Sequence, residues 1–598
     1  MTRKRDCREP CPARPLLAVT RRGLLAGGGA LAAGAALPRP GAAQSALPGA
    51  GGAETPAPFP AARSAPLGRP YNVILIITDE ESYHLRPAEG YALPARAELT
   101  ARGTTFHSHY IAAAMCTPSR GVMFSGQPPQ VNGLFDQMEL GYVPSLRTDQ
   151  PSLGTIFKQL GYATAYFGKF ELRRDIVNAM PGVNYSDALR EYGFDIFAPD
   201  GDKPGGPSQG YDTDGYSAAA AVRWLRTEAQ RLNEAGTPWL LVVSFVNPHD
   251  VMYADANQPG QQQQVSQVGM TLTPPPPSAL YEKQWDFEPS ASWSEPMDSP
   301  GRPRAHLSYM VGWSAFLGEI PVGAAAMWRT YYNFYLNLIR DNDRSLQSVL
   351  DAVSELGLWD STVVMRTADH GELAGAHGGL RGKGPLPYEE EAHVPAVIVH
   401  PEHPGGRSCQ ALTSHIDLLP TLAALGGAET QRRALLLEGL PGRDFSPLLQ
   451  DPETAAADAI REAVLFNYVG LQTVDSLYMI RVCTTLARGE PAPSFFEAKP
   501  DLSRRGFICF VFDGRYKYAR YYAPDDFNTP ESFEEILARN DLELFDLQED
   551  PDEIANLGAD PQANKALILR LNALMNRMIA REVGGNDGRF LPPALRQG

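Results

Sequence analysis

Continuous apolar runs separated by helical segments indicate the architecture of this chain. The runs Asn72–Thr78, Trp239–Val246 and Thr362–Thr367 contain few polar residues, which is typical of strands buried on both faces of a parallel sheet. Ser152–Gly161 and about 326–356 have helical spacing, and the serine that opens the first of them is a suitable N-cap. The alternation predicts an α/β fold with a large, mostly parallel sheet between helices.

The pattern changes twice along the chain. Residues 255–325 are rich in Gln, Pro and Ser and predict an irregular insertion, either a rim around a site or a surface excursion without a role. From about 455 the apolar segments become short, with strands expected near 506–512 and 515–522. We therefore expect a main domain over residues 69–454 and a smaller C-terminal α+β domain over 455–598.

The first 44 residues have the order of an export signal. A basic stretch ends in Arg21-Arg22, and an apolar run of Leu, Ala and Gly follows over 24–37. The paired arginines resemble the twin-arginine type of signal. The run is shorter than the roughly 20 residues needed to span a bilayer, so no stable membrane anchor is predicted. Residues 45–68 read as a flexible leader, and we expect an exported, periplasmic or secreted protein.

Composition narrows the possible functions. The 598 residues are 43% hydrophobic, enough for a large buried core. The net charge is -16, although the first 45 residues hold eight basic and two acidic residues, so the remainder is still more acidic. Such a chain is a poor partner for nucleic acid. Four cysteines after the signal are too few for a disulfide scaffold, and a pair between Cys483 and Cys509 stays open.

Ionisable residues follow the predicted strands where each strand ends. Asp79-Glu80 follows the first run, and Asp369-His370 follows the third. The carboxyl ends of parallel strands form the edge where α/β sheets bind ligands. Adjacent carboxylates suit a hard divalent cation, although an acidic pair by itself is more often a solvated loop.

A second cluster begins at Cys116. Pro118 favours a first helical turn, and Arg120 adds a cation one turn later. The positive end of a helix favours an anionic substrate and an anionic nucleophile. The alternative from these residues alone is a buried structural cysteine.

Together these stretches resemble the sulfatases, the formylglycine-dependent hydrolases of the alkaline phosphatase superfamily. The resemblance implies an alkaline phosphatase-like fold. The matching motifs, in chain order, are Asn72–Glu80, Cys116–Gly126, Tyr166–Lys169, Val246–His249, Thr367–Glu372 with Gly382–Gly384 and Tyr388–Glu390, His415–Thr421, and Leu544–Pro551.

The resemblance assigns roles to nine residues. In the family the cysteine is converted to formylglycine, whose hydrate supplies the nucleophile for cleavage of a sulfate ester. One divalent metal is implied at Asp79, Glu80, Cys116, Asp369 and His370. The sulfate is implied to lie among Arg120, Lys169, His249 and Lys383. His249 or Lys383 would protonate the leaving oxygen, with His249 the better pKa match.

Two positions depart from the family pattern. Glu171 occupies a position where the family often has His, and a carboxylate there would repel sulfate or point elsewhere. Asp369-His370 replaces the frequent Asp-Asn and resembles the choline-sulfatase and phosphonate monoester hydrolase branches. An imidazole ligand tolerates metals softer than calcium, so we expect Ca²⁺ first and Mn²⁺ or Mg²⁺ as alternatives.

The resemblance predicts a sulfuric ester hydrolase acting on a small-molecule or saccharide sulfate ester. A formylglycine-generating enzyme is implied as its maturation partner. The alternatives are a phosphonate monoester or phosphodiester hydrolase on the same scaffold, and an inactive secreted binding protein. The oligomeric state stays open.

Several other ionisable residues receive simpler interpretations. His84 and His377 are placed in loops that could contact substrate, whereas His393 is expected to be structural. Glu389–Glu391 is interpreted as a solvated or helix-capping cluster.

Overall fold

A computed structural model describes residues 70–593, apart from 87–88, 141, 178, 181, 259, 287, 428 and 488–499. The predicted export signal and leader lie outside these residues. Cys509 is a free, buried thiol, and the side chain of Cys483 is outside the described part.

The strands belong to two larger sheets and one short pair. Their bounds are β1 Asn72–Asp79, β2 Thr104–Phe106, β3 His109–Tyr110, β4 Ala163–Gly168, β5 Trp239–Pro248, β6 Thr362–Ala368, β7 Ala396–Val399, β8 Arg407–Cys409, β9 Thr413–Ser414, β10 Val464–Tyr468, β11 Phe507–Phe512, β12 Tyr516–Tyr522 and β13 Asp541–Asp546.

The α-helices range from single turns to one of 31 residues. Their bounds are α1 Pro94–Arg102, α2 Cys116–Ser125, α3 Pro129–Asn132, α4 Leu153–Gln159, α5 Arg174–Val177, α6 Gln209–Arg226, α7 Glu228–Glu234, α8 Arg304–Leu317, α9 Ala325–Glu355, α10 Ala376–Gly379, α11 Glu389–Ala392, α12 Leu418–Leu425, α13 Thr430–Leu436, α14 Ser476–Ala487, α15 Phe533–Arg539 and α16 Lys565–Glu582.

The main sheet has seven strands in the order β4-β5-β1-β6-β7-β2-β8. The neighbours β4, β5, β1 and β6 are parallel, and only β7 pairs antiparallel with both of its neighbours. The predicted mostly parallel sheet is therefore confirmed. The four parallel strands direct their carboxyl ends to one edge.

Alternation along β1 supplies both faces of the sheet with core residues. Leu75 packs in the core that includes Phe124 of α2 and Leu419 of α12. Ile76 packs in the core that includes Trp224 of α6 and Leu346 of α9. Helices thus cover both faces. Among the described helices, none is both long and apolar enough to cross a bilayer.

The start of α4 is capped as its sequence predicts. The side chain of Ser152 accepts a hydrogen bond from the backbone N–H of Thr155, and the Thr155 hydroxyl accepts one from the Ser152 N–H in return. This reciprocal pair satisfies amides that the helix itself leaves without partners.

Two sequence expectations are corrected by the structure. The segment 255–325 contains the helix α8, which packs its Tyr309 and Trp313 against the loop at Gly382 and Gly384. The glutamates that begin α11 are not solvated, because Glu389 and Glu391 are buried. In both cases distant segments provide packing or charge partners that local composition does not reveal.

The C-terminal part forms a four-stranded antiparallel sheet, β10-β11-β12-β13, with α16 packed on it. This confirms the smaller α+β domain, while the boundary near residue 455 stays a prediction. Arg461, just before β10, connects this part to the main domain: its Nε and Nη2 donate to the two carboxylate oxygens of Asp417 at 2.9 and 2.8 Å. Both side chains are fully buried.

Replacing Arg461 by Ala should lower the free energy of unfolding by about 3–5 kcal/mol, because Asp417 would keep a buried charge without its partner. Denaturant unfolding of the full chain measures this change. Arg589→Ala, which removes an exposed ion pair to Asp587, is the control and should cost no more than about 1 kcal/mol. Equal losses in the two variants would contradict the interpretation.

Candidate active site

The ends of four neighbouring strands bring the ionisable motifs together. Thr78 of β1 pairs with Ala368 of β6, so Asp79 and Asp369 leave the sheet side by side. The backbone N–H of Glu80 donates to Oδ1 of Asp369 at 3.2 Å. His249 follows β5, whose last residue is in register with Asp79, and Lys169 follows β4. The sheet thus assembles residues that are up to 290 positions apart in sequence.

Cys116 is the first residue of α2 and faces this edge. Its Sγ lies 3.1 Å from Nε2 of His370 and 3.7 Å from Oδ1 of Asp79. Ligand-type atoms of Asp79, Cys116, Asp369 and His370 all lie within 4.8 Å of one another, and the four residues are buried. Four of the residues predicted to bind a metal therefore converge.

The donor set at this cluster fits a divalent metal ion. His370 Nδ1 lies 3.0 Å from the carbonyl oxygen of Gly371, and a hydrogen bond from Nδ1 leaves the Nε2 lone pair facing the cluster. Oε1 of Glu80 is buried without a hydrogen-bond partner and is available as a further ligand atom. Two carboxylates with one imidazole suit Mn²⁺ as well as harder cations.

The two central carboxylates differ in their surroundings. Burial and the charge of Asp79 raise the pKa of Asp369. Burial also opposes ionisation of Asp79, but the charges of Lys169 and Arg120 outweigh it and lower the pKa of Asp79. Negative charge is therefore concentrated on Asp79, where a metal would bind.

Arg120 holds both carboxylates from the next turn of α2. Its Nε donates to Asp369 Oδ2 at 2.8 Å and its Nη2 to Asp79 Oδ2 at 3.1 Å. Nη1 donates to the Lys169 carbonyl at 2.9 Å and to Ser244 Oγ at 2.8 Å. Most of its donors are thus used within the protein, so Arg120 orients the two carboxylates as well as contributing positive charge to the cluster.

Two buried ammonium groups flank the cluster. Lys169 Nζ lies 2.7 Å from Asp79 Oδ2, and Lys383 Nζ lies 2.6 Å from Glu80 Oε2. Burial disfavours both charges, but nearby acidic groups, Asp79 for Lys169 and chiefly Cys116 and Glu80 for Lys383, raise the pKa of each lysine. Both therefore remain cationic and can bind an anionic ester.

His249 lies close to Glu80, with Nε2 3.9 Å from Oε2, and its Nδ1 is buried without a hydrogen-bond partner. Burial, Lys383 and Lys169 lower its pKa well below the usual range, so the imidazole is neutral. Gly205 leaves room for this ring: a Cβ atom there would lie 2.6 Å from His249 Cε1, and its φ of +95° also favours glycine.

Glu171 does not point away from the site. Its side chain is 1% exposed, and its Oε2 lies 3.0 Å from Lys169 Nζ. Burial raises the pKa of Glu171 well above the usual range; Lys169 opposes this shift and Glu139 adds to it. The raised pKa favours the neutral carboxyl group, which can donate a hydrogen bond instead of repelling an anion.

The sulfatase family model, described simply as Sulfatase, matches residues 71–428 and includes most of these motifs. The chain belongs to the sulfatase family. It is accordingly a sulfuric ester hydrolase.

Known sulfatases and related structures extend the match along the chain. The ulvan-active sulfatase of Formosa agariphila is 25% identical over 413 residues, which cover 66% of this sulfatase and 68% of that protein. The structure of a 2-O GAG sulfatase aligns with a TM-score of 0.60 at 20% identity, over 86% of this chain and 93% of the other. A phosphonate monoester hydrolase from Silicibacter pomeroyi aligns with a TM-score of 0.59 at 20% identity, over 86% and 96%. The two structures support the alkaline phosphatase-like fold.

The sequence alone did not assign roles to two residues that shape the site of this sulfatase. Ser244 in β5 accepts from Arg120, and Glu372 accepts from the backbone N–H of Gly382 at 2.9 Å, next to Lys383. Glu372 could have been found, because it stands in the same motif as Asp369. No sequence signal marks Ser244, which lies inside an apolar strand.

In this sulfatase, Arg120→Lys should weaken metal binding by about 10- to 100-fold, because one ammonium cannot orient Asp79 and Asp369 as the forked guanidinium does. A Mn²⁺ titration of the full chain measures the affinity. Arg504→Lys, at an exposed ion pair to Asp501, should leave it unchanged. Unaltered Mn²⁺ affinity in a folded Arg120→Lys protein would contradict the role of Arg120.

Proposed function

We propose that this sulfatase cleaves sulfate esters with a nucleophile generated at position 116, next to a divalent metal. The observation that supports this most is the convergence of Cys116 with Asp79, Asp369 and His370 in one buried cluster. Asp79, Glu80, Asp369 and His370 would hold the metal together with the modified Cys116.

Formylglycine at position 116 and a divalent metal would each supply one part of the reaction. When present, formylglycine supplies a hydrated aldehyde hydroxyl, and the metal lowers its pKa and balances charge on the ester. Position 116 suits this role, because the buried ammonium groups of Lys169 and Lys383, held by Asp79 and Glu80, act on it.

Three cationic side chains of the site would stabilise a sulfate ester during cleavage. During cleavage, negative charge shifts onto the peripheral and leaving oxygens of the ester. Lys169, Lys383 and the guanidinium of Arg120 are fixed by carboxylates before substrate arrives, so they need little reorganisation to stabilise that charge.

Two residues are candidates for protonating the leaving group, and they differ in protonation state. Lys383 is a charged donor held by Glu80, whereas the low pKa of His249 makes it a neutral imidazole. A neutral His249 can still donate through one ring N–H. We therefore propose Lys383 as the proton donor and His249 as the group that orients the leaving oxygen.

The second candidate is phosphonate monoester hydrolysis on the same site. His370 in the metal cluster favours it, since the resemblance to that branch rests on the Asp-His pair. The aligned hydrolase from Silicibacter pomeroyi supports only the shared fold. Sulfate and phosphonate esters have the same charge and similar size, so these residues distinguish them poorly.

We propose a sulfated saccharide or small alcohol as substrate and a formylglycine-generating enzyme as maturation partner. The names of the ulvan-active and 2-O GAG sulfatases support a saccharide. Export through the twin-arginine-type signal is part of the proposal and rests on residues outside the described part.

Parallel kinetics test the proposed activity. We expect kcat/KM for an aryl sulfate to exceed that for the matching aryl phosphonate monoester, with formylglycine detected by mass spectrometry of the peptide containing position 116. Cys116→Ala should lower kcat by on the order of 10³-fold or more. A preference for the phosphonate by orders of magnitude would overturn the proposed preference for sulfate esters, and an unmodified thiol in active protein would overturn the proposed nucleophile.

The pH dependence of KM tests the state of Glu171. Its raised pKa means that the neutral form prevails below that pKa and ionises as the pH rises through it. KM for an aryl sulfate should therefore increase at high pH, by about tenfold or more, as a like charge develops beside the ester. Glu171→Gln stays neutral and should remove this increase. If KM depends on pH in the same way in the wild type and in Glu171→Gln, Glu171 is not the group that ionises.

A further inference from the structure

Three ligand-type atoms meet at a second cluster, formed by His84, Glu389 and His393. Nε2 of His84 lies 2.9 Å from Nδ1 of His393 and 3.3 Å from Oε2 of Glu389. His393 Nδ1 lies 2.9 Å from the same carboxylate oxygen. None of the three has a role in the sulfatase mechanism described above.

The distances match the spacing of ligands around a small metal ion. In a tetrahedral zinc site with bonds of about 2.0–2.1 Å, ligand atoms are roughly 3.3 Å apart. The 3.3 Å between His84 and Glu389 equals that value, and the two separations that involve His393, both 2.9 Å, are about 0.4 Å shorter. Two imidazoles and one carboxylate are typical zinc ligands, whereas calcium and magnesium prefer oxygen donors only.

The surrounding residues hold the ligands in place. Lys517 Nζ lies 2.6 Å from the other carboxylate oxygen of Glu389, and Tyr110 donates to Oε2 at 3.0 Å. The His393 ring stacks between Tyr83 and Tyr110, with ring centroids 4.0 and 4.7 Å away. Partners of this kind orient metal ligands and fix their rotamers.

The charge and accessibility of the cluster also suit a cation. Glu389, Glu390 and Glu553 place negative charge near His84. The ammonium of Lys517 pairs with Glu389, and His377 pairs with Glu390. The side chain of His84 is 33% exposed and lines a small surface cavity with Arg86 and Glu288. An ion from solvent therefore has a route to the cluster.

We propose that His84, Glu389 and His393 form a Zn²⁺ site, separate from the metal cluster at Asp79. The fourth ligand position would face the cavity. A bound ion would join the loop that follows Asp79 and Glu80 to the segment that follows Lys383, and through Lys517 to the C-terminal sheet. It would act as a structural ion that fixes two active-site loops.

Zinc stoichiometry of the full chain tests this proposal. After dialysis against Zn²⁺ and elemental analysis, His84→Gln should bind one equivalent less than the wild type. His403→Gln, a matched substitution at a histidine outside the cluster, should bind as much as the wild type. Asp79→Asn should lose a different equivalent, so that the His84→Gln/Asp79→Asn protein loses both. Equal stoichiometry in the wild type and His84→Gln overturns the proposal.

If the variants do not fold, a measurement on the wild-type protein can test the Zn²⁺ site. Diethyl pyrocarbonate labels accessible histidines, and peptide mass spectrometry quantifies labelling of His84 in the wild-type protein. With Zn²⁺, labelling of His84 should fall several-fold while His403 labels equally with and without the ion. Equal labelling of His84 under both conditions overturns the site. Neither experiment depends on catalysis, so failure here leaves the proposed sulfatase mechanism intact.

Discussion

The charge of two adjacent buried carboxylates, Asp79 and Asp369, constrains the site more than any other interaction. Such a pair is costly in a protein interior unless cations and hydrogen bonds compensate it. Arg120 spans the pair and Lys169 binds Asp79, so the helix α2 and the strand β4 must both dock in one position. Cys116 is one helical turn before Arg120 in α2. The contacts that fix Arg120 therefore also hold Cys116 beside His370. Charge compensation and placement of Cys116 are therefore one structural requirement.

The C-terminal domain extends this arrangement by adding charged partners of its own. Lys517 of β12 binds Glu389, and Glu543 of β13 accepts a hydrogen bond from Tyr388. Glu389 and Tyr388 lie in the segment that follows Lys383. Arg461 provides a further buried bridge to Asp417. The two domains are therefore joined by specific ion pairs as well as by apolar packing. Segments next to the candidate site thus contact strands that come much later in the chain.

Sequence reasoning found the features that depend on local pattern or on a linear motif. The buried strands, the capped start of α4 and the convergence of Asp79, Cys116, Asp369 and His370 follow from such signals. It missed what depends on distant partners. Lys517 compensates the charge of the buried Glu389, and α8 packs on Gly382 and Gly384. Burial and the nearby Glu139 raise the pKa of Glu171. None of these partners lies near its counterpart in sequence.

The close contact between Gly205 and the imidazole of His249 has a consequence for attempts to change the substrate. Any side chain at position 205 would collide with the ring and also strain the backbone. Substitutions at this position in a mutant library would therefore disturb His249 and yield mostly inactive variants. Variation in α8, which packs on Gly382 and Gly384 on either side of Lys383, would not meet this clash.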